Sequence, residues 1–326
     1  MKTPKKYTTV DSASWVLYSD SRDAIFGELY SIASNDRNVI ILSADTGMMM
    51  FKDFKKSMPE QIYNVGIAEQ NTISVAAGLS LVGKKVFVFA IADFITLRCF
   101  EQIKIDICSM NLPVVIIGMG TGYMYSEDGP THHMIDDISL MRALPGMTIW
   151  NVSDYTMAAA ATHLAYENKE PSYLRFDRGF TPKYTYETNF NDGLYVLKKG
   201  TSRPQVIIIS TGVMVDQALK VSAELDELGI SNGVIDLYRL KPLNEELFLN
   251  SIADAICIVT IEEHTIFGGI GSIVCETMAK HDILKPIKII GIPDVLRSEI
   301  GDRETMRSFD KIDTKSIVAR IKEWIT

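Results

Sequence analysis

Apolar positions in the first half of the chain switch between two spacings. Behind Ser21, a residue type that caps helices, Ile25, Leu29 and Ile32 recur on one helical face. The β-branched run Val39–Leu42 reads as a strand, Glu69–Leu81 as a helix and Val86–Ala90 as a second strand. Phe100, Ile103 and Ile107 mark a further helix, and Val114–Gly118 a further strand. Strands that are apolar throughout, set between helices, predict a parallel sheet covered on both faces. A polar stretch rich in Tyr, Thr and Asn follows, with Pro182 inside it and Pro204 at its end.

Beyond that stretch the alternation resumes. Strands are expected at Val206–Ser210, Gly233–Leu237 and Ile256–Ile261, and helices at Val215–Leu228 and Ile317–Trp324. No low-complexity tract or short repeat interrupts it. The pattern predicts an α/β protein of two domains, each a mostly parallel sheet flanked by helices. Residues 1–180 form the first, 181–204 a linker and 205–326 the second.

Composition narrows the field. A chain of 326 residues with 47% hydrophobic content can build two ordinary cores. A formal charge of −8 argues against nucleic acid or an anionic membrane as the main partner. No apolar run approaches membrane-spanning length, and the basic segment Met1–Tyr7 lacks the apolar stretch of a signal peptide. Cys99, Cys108, Cys257 and Cys275 lie far apart without metal-ligand spacing, the pattern of a reduced, cytoplasmic protein.

Ligands of open parallel sheets bind beyond the carboxyl ends of the strands, and several polar features fall there. Asp45 follows Val39–Leu42, and Glu69 opens a helix after the short run Gln61–Val65. Phe94 follows Val86–Ala90, and the loop Met119–Met134 holds Glu127, Asp128, His132 and His133. Each has a plainer reading: Glu69 as a helix N-terminal acid, Asp45 as a turn residue, Phe94 as core. The adjacent histidines lack a third partner for a metal, so no metal ligand is assigned. Gly118, Gly120 and Gly122 mimic a dinucleotide fingerprint only in part, with the third glycine misplaced and no prompt helix.

The order of motifs adds a resemblance. S-A-D at Ser43–Asp45, G-I-A-E-Q-N at Gly66–Asn71, R-x-x-E-Q-I at Arg98–Ile103 and E-D-G-P-T-H at Glu127–His132 resemble the pyrimidine-binding domain of transketolase. So does the run Asp136–Met147. S-T-G at Ser210–Gly212, K-P-L at Lys241–Leu243 and E-E-H-x-x-x-G-G-I-G at Glu262–Gly271 are similar to that family's C-terminal domain. The family holds the cofactor's diphosphate through magnesium on a G-D-G…N motif. Here the sole G-D, Gly301–Asp302, is followed by Arg303. The resemblance therefore implies the pyrimidine-side subunit of a two-subunit enzyme. Thiamine diphosphate would be its cofactor, and Mg2+ ligands and the diphosphate site would lie on an N-terminal partner subunit. The assembly would be a heterodimer or a self-associating heterotetramer.

The resemblance also implies roles. Glu69 would hydrogen-bond N1′ of the aminopyrimidine and favour its imino tautomer, a task for a carboxyl in a dry pocket. Phe94 would stack on that ring, with Asp45, Ile91 and Leu97 at further cofactor positions. Arg22, Asp128, His132 and Arg178 match positions that hold the hydroxyls or phosphate of a sugar, arginine through its bidentate fork. Met49 stands where the family has a serine, and Gly120 where it has a histidine, unless Tyr123 or Tyr125 fills the gap. These departures imply a sugar other than xylulose 5-phosphate or ribose 5-phosphate. The activity implied is transfer of a two-carbon ketol unit from a ketose to an aldehyde. The alternatives are the β subunit of a 2-oxoacid dehydrogenase E1 component, a deoxyxylulose phosphate synthase-like enzyme, or a non-catalytic scaffold or regulatory partner of a thiamine enzyme. The E-D-G-P-T-H and R-x-x-E-Q-I motifs favour transketolase over the first. The second is usually a single longer chain, and retention of Glu69 argues against the last.

Overall fold

The computed structural model describes residues 20–47, 51–179, 184 and 190–325. The expected substrate position Met49 lies outside them, as do most residues of the first part of the expected linker. Internal contacts divide the chain into two units. One comprises residues 1–119, 144–147 and 154–183, the other 120–143, 148–153 and 184–326.

In chain order the first six strands are β1 (Val39–Ser43), β2 (Ile62–Asn64), β3 (Lys85–Ile91), β4 (Val115–Met119), β5 (Thr148–Asn151) and β6 (Ser172–Phe176). The next six are β7 (Leu194–Lys198), β8 (Val206–Ser210), β9 (Asn232–Leu237), β10 (Arg239–Lys241), β11 (Cys257–Thr265) and β12 (Ile287–Ile292).

In the first unit β6, β4, β3, β1 and β2 are neighbours in that order, and every pair is parallel. All five residues of β1, β4 and β6 are buried, which is why these strands read as unbroken apolar runs. The edge-to-face rings of Phe26, Phe51 and Phe89 pack between helix Ser21–Asn35 and the sheet, with Phe26 and Phe89 4.9 Å apart. That helix is capped by Asp20, not by Ser21 as expected. Asp20 has extended backbone and its carboxylate accepts from the Arg22 N–H, while Ser21 is already inside the first turn. Helix Glu69–Leu81 has the expected bounds. The helix expected around Phe100–Ile107 begins as one turn and widens into a π-helical stretch over Ile103–Cys108.

In the second unit the order is β12, β11, β8, β9 and β7, with β7 alone antiparallel. Strand β7 falls inside the stretch read as linker; its buried Leu194 pairs with Leu237 and its next two residues are half-buried. β5 and β10 form an antiparallel pair in which Trp150 stacks on Tyr238. β11 runs past the expected end at Ile261 through Glu262, Glu263 and His264, all buried. Charged residues hide a strand from hydrophobic periodicity, and burying them demands partners. Tyr123, at the start of the long loop, belongs to the core of this second unit beside Val259, Ile261 and Met306.

Candidate active site

Glu69 stands at the first position of its helix, behind Ala68, which gives no side-chain cap. Its carboxylate is 4% exposed, so it is costly to leave without a partner. Arg98 supplies one: Nη1 donates to Oε2 at 2.8 Å. The same guanidinium lies over the Phe94 ring, 4.5 Å from its centroid. The Gln70 amide donates to the Arg98 carbonyl, fixing the backbone that carries it. The carboxyl therefore does not sit alone in a dry pocket, as expected from its motif, but shares a planar cation with Phe94.

Phe94 lies in the short helix Ala92–Thr96, with Ile91 before it and Leu97 after it, so the three follow one another at helical spacing. Ile91 and Phe94 are half-buried and Leu97 is exposed. The Cys99 thiol, directly behind, donates to the Phe94 carbonyl. Burial, and then the Glu69 charge, push this thiol up to about 12, so it stays protonated.

Asp45 takes positive φ, +56°, and is exposed at the end of β1. Asn64, at the end of β2, holds it from both sides. The Asn64 amide donates to Asp45 Oδ1 at 2.8 Å, and the Asp45 N–H donates back at 3.0 Å. Arg22 and Arg178 are brought together through Asp20. Its two oxygens accept from the Arg22 N–H and from the N–H of Gly179, next to Arg178. The Arg22 side chain itself turns to Asp23. Asp20 and Asn64 were missed in the sequence because their partners lie far along the chain.

The long loop belongs to the second unit. Gly120 and Gly122 take positive φ, and Gly122 pairs with Met134 to close the loop at its base. The Tyr123 N–H donates to Glu263 Oε1 at 2.7 Å, and its hydroxyl donates to Asp310. Arg303 engages both Glu263 oxygens and the Thr121 carbonyl, and Arg307 adds a second cation on Glu263. Burial alone would raise the Glu263 carboxyl; Arg303 and Arg307 override it and hold it at about 2. From this anchor a 3₁₀ turn, Ser126–Asp128, carries Asp128 to the surface. His132 is half-buried and bonds Thr131, while His133 is buried against Tyr123 and the Ser126 carbonyl. Gly120, Asp128 and His132 thus share one loop. Of the two tyrosines expected to compensate for Gly120, Tyr123 is spent in the core. Tyr125 is the one whose ring fills the space: a Cβ at Gly120 would lie 2.6 Å from its Cδ2. Among the described residues no three His, Cys, Asp or Glu side chains gather as a metal-binding group.

Comparison with known proteins fits this geometry. The family model for the transketolase pyrimidine-binding domain matches residues 19–183, and that for the transketolase C-terminal domain matches 195–318. One of the two subunits of an apulose-4-phosphate transketolase from Phocaeicola vulgatus is 35% identical over 84% of this chain and 87% of its own length. A 6-deoxy-6-sulfo-D-fructose transketolase subunit of a Clostridium species is 30% identical over 93% of each chain. A solved split-gene transketolase, described as an inactive β4 tetramer, superposes with a TM-score of 0.82. It is 32% identical, and the match covers 93% of this chain and 97% of its own.

Proposed function

This chain belongs to the transketolase family, and we propose that it is the pyrimidine-side subunit of a two-subunit, thiamine diphosphate-dependent transketolase. The observation that carries the reading is the triad of Glu69, Phe94 and Arg98. A buried carboxylate and a ring face together hold a flat, nitrogen-rich cation, and an aminopyrimidine is a flat, nitrogen-rich ring. The residues present therefore fit the pyrimidine end of the cofactor.

Bound there, thiamine diphosphate supplies the nucleophilic carbon and electron sink needed to cleave a C–C bond beside a carbonyl. The chain's own residues do the rest. With Oε2 bound to Arg98, Glu69 offers Oε1 to exchange a proton with N1′ of the aminopyrimidine. Phe94 offers its face to the ring. Asp128 and His132, on the loop anchored by Glu263, offer an acceptor and a titratable nitrogen to sugar hydroxyls, while Arg22 and Arg178 offer cations to an anionic end.

The magnesium and diphosphate ligands are placed on the partner subunit, in line with the missing G-D-G motif. The setting is cytoplasmic; no helix among the described residues is long and apolar enough to cross a membrane. The sugar is a non-standard one. The two relatives are named for apulose 4-phosphate and 6-deoxy-6-sulfo-D-fructose, neither of which is xylulose 5-phosphate or ribose 5-phosphate.

The test is reconstitution. Mixed with a G-D-G-bearing partner, magnesium and thiamine diphosphate, the chain transfers a ketol unit from a ketose to an aldehyde; alone it turns over nothing. Tight, magnesium-dependent binding of the cofactor to the isolated chain, seen by calorimetry, would contradict the split-site reading.

A further inference from the structure

We propose that Tyr125 is a substrate-contacting residue that sets specificity, its ring taking the place of a side chain at position 120 and receiving an uncharged, hydroxylated part of the sugar. The proposal rests on the transketolase reading above and extends it to a residue that no family motif marks.

Gly120 takes φ of +87°, a conformation that side chains other than glycine's seldom adopt. A Cβ there would collide with the ring of Tyr125, 2.6 Å from Cδ2 and 3.0 Å from Cζ. The two positions are therefore coupled: the ring stands where a side chain at 120 would begin. Tyr123, two residues earlier, shows what a structural tyrosine in this loop looks like. It is fully buried, and its hydroxyl is committed to Asp310. Tyr125 is only half-buried.

The loop holds this ring in a defined place. Its base is closed by the Gly122–Met134 pair and pinned by the bonds from Tyr123 to Glu263 and from Arg303 to the Thr121 carbonyl. The Tyr125 carbonyl accepts from the Asp128 N–H at 3.0 Å, so ring and carboxylate are displayed from one turn. His132 meets the Tyr125 ring edge-on, 6.0 Å between centroids. Residues 120–134 contain two acids, two histidines and no lysine or arginine. Such a surface suits C–H groups laid on an aromatic face and hydroxyls bonded to a carboxylate or imidazole; it has no fixed cation for a phosphate.

The experiment uses the enzyme reconstituted with its partner and compares wild type with Tyr125→Ala and Tyr125→Phe. Two readouts are needed: hydrogen–deuterium exchange at C2 of the cofactor, which reports Glu69, and kcat/KM for phosphorylated and unphosphorylated forms of the same ketoses, xylulose and fructose. For Tyr125→Ala, exchange stays within about twofold of wild type, and the ratio of kcat/KM moves roughly tenfold towards the phosphorylated sugar. Tyr125→Phe, which keeps the ring, moves it less. A ratio unchanged in Tyr125→Ala, or exchange that falls in step with kcat/KM, would overturn the assignment while leaving the enzyme's identity untouched. Absence of C2 exchange in the wild-type complex would instead remove the transketolase reading, and this proposal with it.

Discussion

Arg98 and Glu69, 29 residues apart, are joined by a 2.8 Å charge-assisted hydrogen bond in which the carboxylate is buried and the guanidinium is 46% exposed. Water screens the arginine side of such a pair, so its coupling is modest, about 1 kcal/mol. A double-mutant cycle of Arg98→Met and Glu69→Gln, followed by urea unfolding, should return a favourable coupling of that order. Additive effects would mean that the two side chains are not partners in solution.

Glu69→Gln should leave folding and assembly nearly unchanged, because the amide oxygen still accepts from Arg98. It should slow C2 proton exchange in the reconstituted enzyme by roughly 10²–10⁴-fold, since an amide does not share a proton with N1′. Wild-type exchange in the variant would refute the assignment of Glu69.

Glu263 supplies a pH test of the loop anchor. Its folded-state pKa, about 2, lies below the ordinary 4.5, so the unfolded chain takes up this proton first as pH falls. The stability it confers is complete above about 4.5 and is lost between there and about 2. For a fully buried group this amounts to something on the order of 3 kcal/mol. Urea unfolding from pH 6 downward should show that loss, and Glu263→Gln should be less stable at neutral pH but flatter across the same window. Parallel pH profiles for variant and wild type would exclude this role.

Substrate preference gives the fourth test. With Gly120 in place of a histidine, and Met49 at the expected serine position, the reconstituted enzyme should handle xylulose 5-phosphate and ribose 5-phosphate poorly. Steady-state kinetics should place both below ~10⁴ M⁻¹s⁻¹ in kcat/KM, the lower bound for ordinary efficient enzymes. Values above that bound would mean that these sugars are its natural substrates.

Much of this protein was legible in the chain itself. Strands such as Val39–Ser43 and Val206–Ser210 are buried on both faces, so each residue is apolar and the run announces itself. Helix Glu69–Leu81 is bounded by local signals, and its leading acid sits where the motif order put it. Elements whose burial involves charge were harder to read. β11 continues through Glu262, Glu263 and His264 because Arg303, Arg307 and the N–H groups of Ile270 and Gly271 satisfy them.

By itself the sequence determined the alternation of elements, the two-sheet architecture and the identity of the residues that carry chemistry, since each depends on local pattern or motif order. Only the tertiary structure decided what those residues meet. It capped the first helix with Asp20 rather than Ser21, paired Glu69 with Arg98, sank Tyr123 into the core beside Asp310 and left Tyr125 to fill the space beside Gly120. Local pattern reports which face of an element is buried. A buried charge or a crowded glycine is settled by groups brought up from elsewhere in the chain, and for the Tyr123–Glu263 bond that means 140 residues away.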